Sequence, residues 1–235
     1  MTGNPMAEKT PREFCWQCLL AKSMCYCAEI RKVDLPFYFL ILTHPLEFRR
    51  RIATGRMAHL SLPRSFMITA ENYTDNKPVN DLLKDTKFQP YLLHPKAPSL
   101  ELNTLPMEEK KNLFCRTGQI PLFVVVDGTW ATARKTLRLS ENLKALPRIC
   151  FLPSHPSNFR VRKQPVANYV STIEAIHQTV EQLLCIDDDL CRNRPHDALL
   201  KVFDFMNDRQ ASFVDKARLS NEPSRYMKAR SGLPS

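Results

Sequence analysis

Four cysteines fall within the thirteen-residue run CWQCLLAKSMCYC: Cys15, Cys18, Cys25 and Cys27. A C-x-x-C pair followed by a C-x-C pair can bring four thiolates to one tetrahedral zinc ion, and the short loops between them cost little closure entropy. With four protein ligands such a metal has no open position, so its expected role is structural. The plain alternative is four ordinary reduced thiols. Cys115, Cys150, Cys185 and Cys191 are scattered and read as core or surface thiols.

A second constellation is VVVDGTW, where Asp127 ends an apolar run and is followed by Gly128, Thr129 and Trp130. Ligands of parallel α/β sheets bind at the carboxyl ends of strands. There Asp127 is a candidate base, and Trp130 is a candidate ring for stacking on a nucleobase or an adenine. The structural alternative is that Asp127 or Thr129 caps the following helix and Trp130 is core. A third is NYVSTIEA, with Ser171, Thr172 and Glu174. Ser171 and Glu174 have capping-box spacing, which accounts for both without function, yet a helix N-terminus also attracts anionic groups. His44, before Pro45, is a candidate reactant or a satisfied structural residue.

Basic residues gather near these segments. Arg49, Arg50, Arg51 and Arg56 surround Gly55; Arg134, Lys135 and Arg138 follow the Asp127 turn; Arg160, Arg162 and Lys163 lie in a proline-bounded loop. Each cluster alone reads as a solvated face, but together they can form an electrostatic funnel for RNA. The chain as a whole carries 34 Lys and Arg against 24 Asp and Glu, a formal charge of +10, which favours polyanionic partners.

The elements that must position these residues alternate between strand and helix. LPFYFLILTH and PLFVVVDGTW are strands, the second buried on both faces because its apolar run is continuous. Shorter strands are expected at Ser65–Thr69, Tyr91–Leu93 and Arg148–Pro153. The segment LEFRRRIATGRMAHLSL reads as a helix interrupted near Gly55, and further helices follow Trp130, span Ser171–Cys185 and cover roughly Pro195–Met206. The remainder between the short strands is polar and poorly patterned. This order predicts an α/β fold with a mostly parallel sheet and flanking helices. The expected division is an N-terminal zinc-binding segment at 1–32, an α/β domain at 33–210 and a basic tail at 211–235.

At 235 residues and 43% hydrophobic content the chain can bury a sizeable core. No apolar run reaches the roughly 18 residues of a membrane span, and no apolar signal core opens the chain, so a cytoplasmic protein is expected. Glycine is scarce: Gly3, Gly55, Gly118, Gly128 and Gly232 are far apart. This excludes a G-x-G-x-x-G dinucleotide loop and a Walker A loop.

Taken in order, the cysteine cluster, THPLEFRRRIATGR, DGTW, NFRVRKQP and STIEA resemble the DTW-domain family over roughly residues 15–185. The resemblance implies a tRNA-uridine aminocarboxypropyltransferase with a fold similar to the knotted SPOUT-type α/β enzymes. It implies S-adenosylmethionine as co-substrate, tRNA as acceptor and methylthioadenosine as by-product. Asp127 would then accept a proton from the uridine imide or orient the base. Thr129, Trp130, Ser171, Thr172, Glu174 and His44 would shape the donor pocket, with Glu174 near the donor's ammonium. Arg49, Arg50, Arg56, Arg134, Arg160, Arg162 and Lys163 would meet RNA. One departure is Ala53-Thr54-Gly55, where the family pattern leads one to expect Asn-Thr-Gly. Two other readings compete: an S-adenosylmethionine-dependent RNA methyltransferase of similar fold, and a non-catalytic zinc-dependent RNA-binding module.

Overall fold

The computed structural model describes residues 13–48, 50, 52–116, 118–159 and 169–219. Its elements run β1 (Tyr38–Thr43), α1 (Pro45–Phe48), α2 (Thr54–Ser61), β2 (Ser65–Thr69), α3 (Lys77–Lys84), β3 (Phe88–Leu93), β4 (Leu100–Glu101) and α4 (Met107–Phe114). They continue with β5 (Ile120–Asp127), α5 (Trp130–Leu139), α6 (Glu141–Lys144), β6 (Arg148–Cys150), α7 (Thr172–Gln182), α8 (Asp188–Asn193) and α9 (Asp197–Leu219). The six strands form one sheet in the order β2-β1-β5-β3-β6-β4, with every pairing parallel. The α/β reading is therefore correct.

The continuous apolar runs of β1 and β5 follow from burial on both faces. Phe39, Ile41, Phe123 and Val125 point into one core, shared with residues of α2, α7 and α9 and with Cys18, Leu20 and Tyr26 of the cysteine segment. Leu40, Leu42, Leu122 and Val124 alternate into the other, beside Tyr73, Val79 and Leu143. At about 1.5–3 kcal/mol for each large apolar side chain removed from water, these two layers dominate the stability of the sheet. The Phe37 and Phe123 rings meet edge to face at 5.5 Å, which fixes the start of β1 against the centre of β5.

Register then decides what meets at the carboxyl edge. Thr43 pairs with Asp127, and Leu92 of β3 with Val124, so the ends of β1, β5 and β3 lie side by side. Tyr73, fully buried, donates its hydroxyl to the carbonyl of Thr43 at 3.1 Å and braces that edge.

Several expectations shift in detail. The helix expected across Gly55 is two elements, α1 and α2, with Gly55 in the first turn of the second. The strand expected at Arg148–Pro153 is shorter, ending at Cys150. The last helix extends to Leu219, so the expected tail boundary at 210 falls inside α9. Two helices were hidden in the polar stretches: each spans only eight residues, so the apolar face of α3 (Val79, Leu82 and Leu83) and that of α4 (Leu113 and Phe114) are too short to stand out as a periodic pattern. The start of α3 is nonetheless chemically marked, since the Asn76 side chain accepts from the Val79 amide. Among the described residues, no helix is long and apolar enough to cross a membrane.

Candidate active site

The Asp127 carboxylate ends β5 with 1% of its surface exposed. Its Oδ1 accepts from the Thr172 hydroxyl at 2.6 Å, and its Oδ2 from the Thr43 hydroxyl at 3.3 Å. On a third side lies α2: a methyl group added at Gly55 would stand 2.5 Å from the Asp127 carboxyl carbon. Thus the end of β1 and the first turns of α2 and α7 converge on one buried carboxylate. Helix N-termini carry partial positive charge, and two of these three neighbours set one beside the carboxylate.

Beside this carboxylate opens a cavity of about 610 Å³ at the carboxyl edge of the sheet. Its polar and aromatic lining includes Thr54, His94, Gly128, Thr129, Trp130, Tyr169, Ser171 and Thr172, with Val125, Phe151 and Phe159 supplying apolar wall. A volume of this order suits a nucleoside-sized ligand. The aspartate turn and the start of α7, separated by more than forty residues, therefore do share one cavity.

The sequence explains how each part is held. Thr129 is the N-cap of α5 and accepts from the Thr132 amide at 3.1 Å, so of the two residues expected to cap that helix Thr129 does so. Trp130 is not simply core: it lines the cavity and stacks on Tyr169, ring centroids 3.9 Å apart. Ser171 and Glu174 form the expected capping box at the start of α7. Ala53, where Asn was expected, is the N-cap of α2 and provides no side-chain hydrogen bond there.

Other expected site residues lie elsewhere. Glu174 is absent from the cavity lining: its oxygens accept from the Ser157 and Ser171 hydroxyls and from the Asn158 and Ser171 amides, at 2.6–2.7 Å. It ties the 157–158 loop to α7, and those four donors leave it poorly suited to meet a donor's ammonium. His44 is also outside the cavity, being buried with its Nδ1 accepting from the Leu46 amide. Its amide donates to the Asp127 carbonyl, so it fixes the strand end. Arg56 is a structural residue rather than an RNA contact. Only 5% exposed, it donates to the carbonyls of Phe48 and Cys18 and lies over the Phe48 ring. Burial lowers its pKa from the ordinary guanidinium range, offset in part by Tyr26 and Asp127. Arg50 is half-exposed and paired with Glu47. Arg134 is exposed at the cavity, its Nε donating to the Trp130 carbonyl. Arg49, Arg160, Arg162 and Lys163 lie outside the described residues.

Sequence reasoning missed His94, Tyr169, Thr43 and Gly55. His94 stands just past β3, and burial, then Arg148 and Lys96, push its imidazole below the usual range, keeping it neutral at pH 7. The signal was available, since LLHP repeats the strand-His-Pro pattern of LTHP. Nothing local marked the contact of Gly55 with Asp127.

The cysteine cluster is as compact as its spacing promised. Cys15 and Cys27 sulfurs lie 3.7 Å apart, as do those of Cys18 and Cys25, and all four lie within 4.8 Å of one another. A tetrahedral zinc with bonds of about 2.3 Å needs sulfurs about 3.8 Å apart, so the donor set fits the metal. Backbone amides of Cys18 and Gln17 pull the Cys15 thiol down to about 6, while burial pushes Cys18 and Cys27 up. A cation at the centre would favour four thiolates.

Among curated proteins, the chain is similar to tRNA-uridine aminocarboxypropyltransferase 2 of Drosophila melanogaster, 26% identical over 178 residues, covering 73% of this chain and 67% of that protein. No solved structure matches it significantly. The family profile described as DTW domain matches residues 12–211, taking in the cysteine cluster, the aspartate turn and the start of α7, and the chain belongs to the DTW-domain family.

Proposed function

We propose that the protein transfers the 3-amino-3-carboxypropyl group of S-adenosylmethionine to N3 of a uridine in tRNA, releasing methylthioadenosine. Family membership and the activity named for the fly relative support this reaction class. The observation that carries it is the buried Asp127, joined through the Thr172 hydroxyl to a nucleoside-sized cavity at the carboxyl edge of a parallel sheet.

The sulfonium of the donor activates the adjacent carbons, and in-line placement of the acceptor selects the arm carbon over the methyl. A carbon–nitrogen bond forms at N3 as the carbon–sulfur bond breaks. The imide nitrogen is a poor nucleophile while protonated. Asp127 is the sink for that proton, and Thr172, which lines the cavity and donates to Oδ1, is the route to it. Thr129, Trp130 and Ser171 shape the donor pocket, and neutral His94 adds no charge to compete with the sulfonium. Arg134 reaches toward RNA phosphate at the rim. Four cysteines hold zinc in a structural role, fastening the N-terminal segment to the core through Cys18, Leu20 and Tyr26.

The test is mass spectrometry of nucleosides from unmodified tRNA incubated with purified protein and S-adenosylmethionine. One added aminocarboxypropyl group, with methylthioadenosine as by-product, is the expected result. A methyl gain with S-adenosylhomocysteine would mean a methyltransferase instead. RNA binding without any mass change would mean a non-catalytic module.

A further inference from the structure

A second group of metal-ligating side chains lies where α7 meets the start of α9. His177 and Glu181 are four residues apart on α7 and share one face. His196 and Asp197 enter from the turn that opens α9. One ligand atom from each lies within 4.8 Å of all the others. His177 Nε2 is 3.0 Å from Asp197 Oδ1; His196 Nε2 is 3.0 Å from Glu181 Oε2 and 3.7 Å from Asp197 Oδ1. Bonds of about 2.0–2.1 Å from zinc to nitrogen or oxygen give tetrahedral edges of about 3.3 Å, which these separations bracket.

Charge points the same way. Arg194 forks onto both carboxylates, with contacts of 2.8–3.2 Å to Glu181 and Asp197. One guanidinium against two carboxylates leaves one negative charge uncompensated. His196 is fully buried and His177 nearly so, which places both imidazoles inside the contact between α7 and α9. Two imidazoles beside a residual negative charge form a donor set that suits a divalent cation. Arg194 Nε and Nη1 hold the outer oxygens, Asp197 Oδ2 and Glu181 Oε1, from behind, while the Nη2 contacts to Asp197 Oδ1 and Glu181 Oε2 would give way to the metal. Its own left-handed backbone, φ 44°, is one that a long side chain seldom adopts without local support.

We propose that His177, Glu181, His196 and Asp197 form a second zinc site, separate from the cysteines, that clamps α7 to the start of α9. Four protein ligands make it structural, and it is independent of the transfer reaction. Zinc content of the purified full chain by elemental mass spectrometry is the test. Wild type is expected to hold two zinc ions, His177→Gln/His196→Gln one, and Cys15→Ser/Cys18→Ser one. Should the histidine variant fail to fold, cobalt loading of the cysteine variant replaces it. Tetrahedral cobalt bands without thiolate charge transfer are then expected. Equal zinc content in wild type and the folded histidine variant would overturn the site, as would a cysteine variant that takes up no cobalt. Failure of the cysteine centre alone would show as metal content unaffected by Cys15→Ser/Cys18→Ser.

Discussion

The cysteine cluster and the strand-end cavity are built on opposite plans. The first draws its four side chains from thirteen consecutive residues, and its geometry is set by two tight turns. The second gathers Thr43, Gly55, Asp127 and Thr172 from four separate elements. A local site can be read by its spacing but needs a ligand to hold it, because four thiols gathered within 4.8 Å have no regular strand or α-helix among them to fix their places. The dispersed site needs no ligand to exist: the same two core layers that fix the sheet also fix the carboxylate. Chemistry should therefore fail separately from stability at the cavity, and stability should fail first at the cysteines.

The largest effect expected from this contrast is at Asp127. Asp127→Ala should lower transfer to tRNA by about 10²–10⁴-fold while circular dichroism and zinc content stay unchanged. Near-normal turnover in a folded variant would remove Asp127 from the chemistry. At the other region, Cys15→Ser/Cys18→Ser should lower the melting temperature by roughly 10 °C, with activity at low temperature largely kept. Equal melting curves with and without a zinc chelator would place the cluster outside the stability of the fold.

Gly55→Ala sharpens the contrast. Alanine is the better helix former by about 1 kcal/mol, so secondary structure should not suffer. Its methyl must nevertheless displace Asp127, since the space is occupied at 2.5 Å. Activity should fall about tenfold or more, and further than thermal stability, because a small misplacement of a reacting group is costly. Trp130→Ala should raise the KM for the donor about tenfold and leave kcat less changed, in keeping with about 1–3 kcal/mol for a ring stack. The smallest effect concerns the N-cap of α2: Ala53→Asn should add about 0.5–1 kcal/mol in a denaturant titration by capping amides that Ala53 leaves without a side-chain partner.

What was legible followed the strength of local patterning. β1 and β5 stood out because both faces are buried, and α7 because a capping box opens a broad apolar face. The helices α3 and α4 did not, since each is only eight residues long and sits in an otherwise polar stretch. The site divided likewise. Asp127, Thr129, Trp130, Ser171 and Thr172 were marked by the strand-end rule and by family resemblance, and the cavity and its edge unite them. Arg56 looked solvated because it stands in a basic run, whereas the carbonyls of Phe48 and Cys18 and the Phe48 ring hold it in the fold. Glu174 and His44, expected in the donor pocket, lie outside the cavity lining and hold the loop and strand end beside it.

By itself the sequence determined the class of the fold, the order of its main elements and the convergence of four cysteines, because each of these rests on periodicity or spacing within a few turns of chain. Only the tertiary structure decided that Gly55, Thr43 and Thr172 enclose Asp127, and that two histidines meet two carboxylates between α7 and α9. Those meetings depend on sheet order and helix packing, which bring together residues whose separation along the chain carries no local signature.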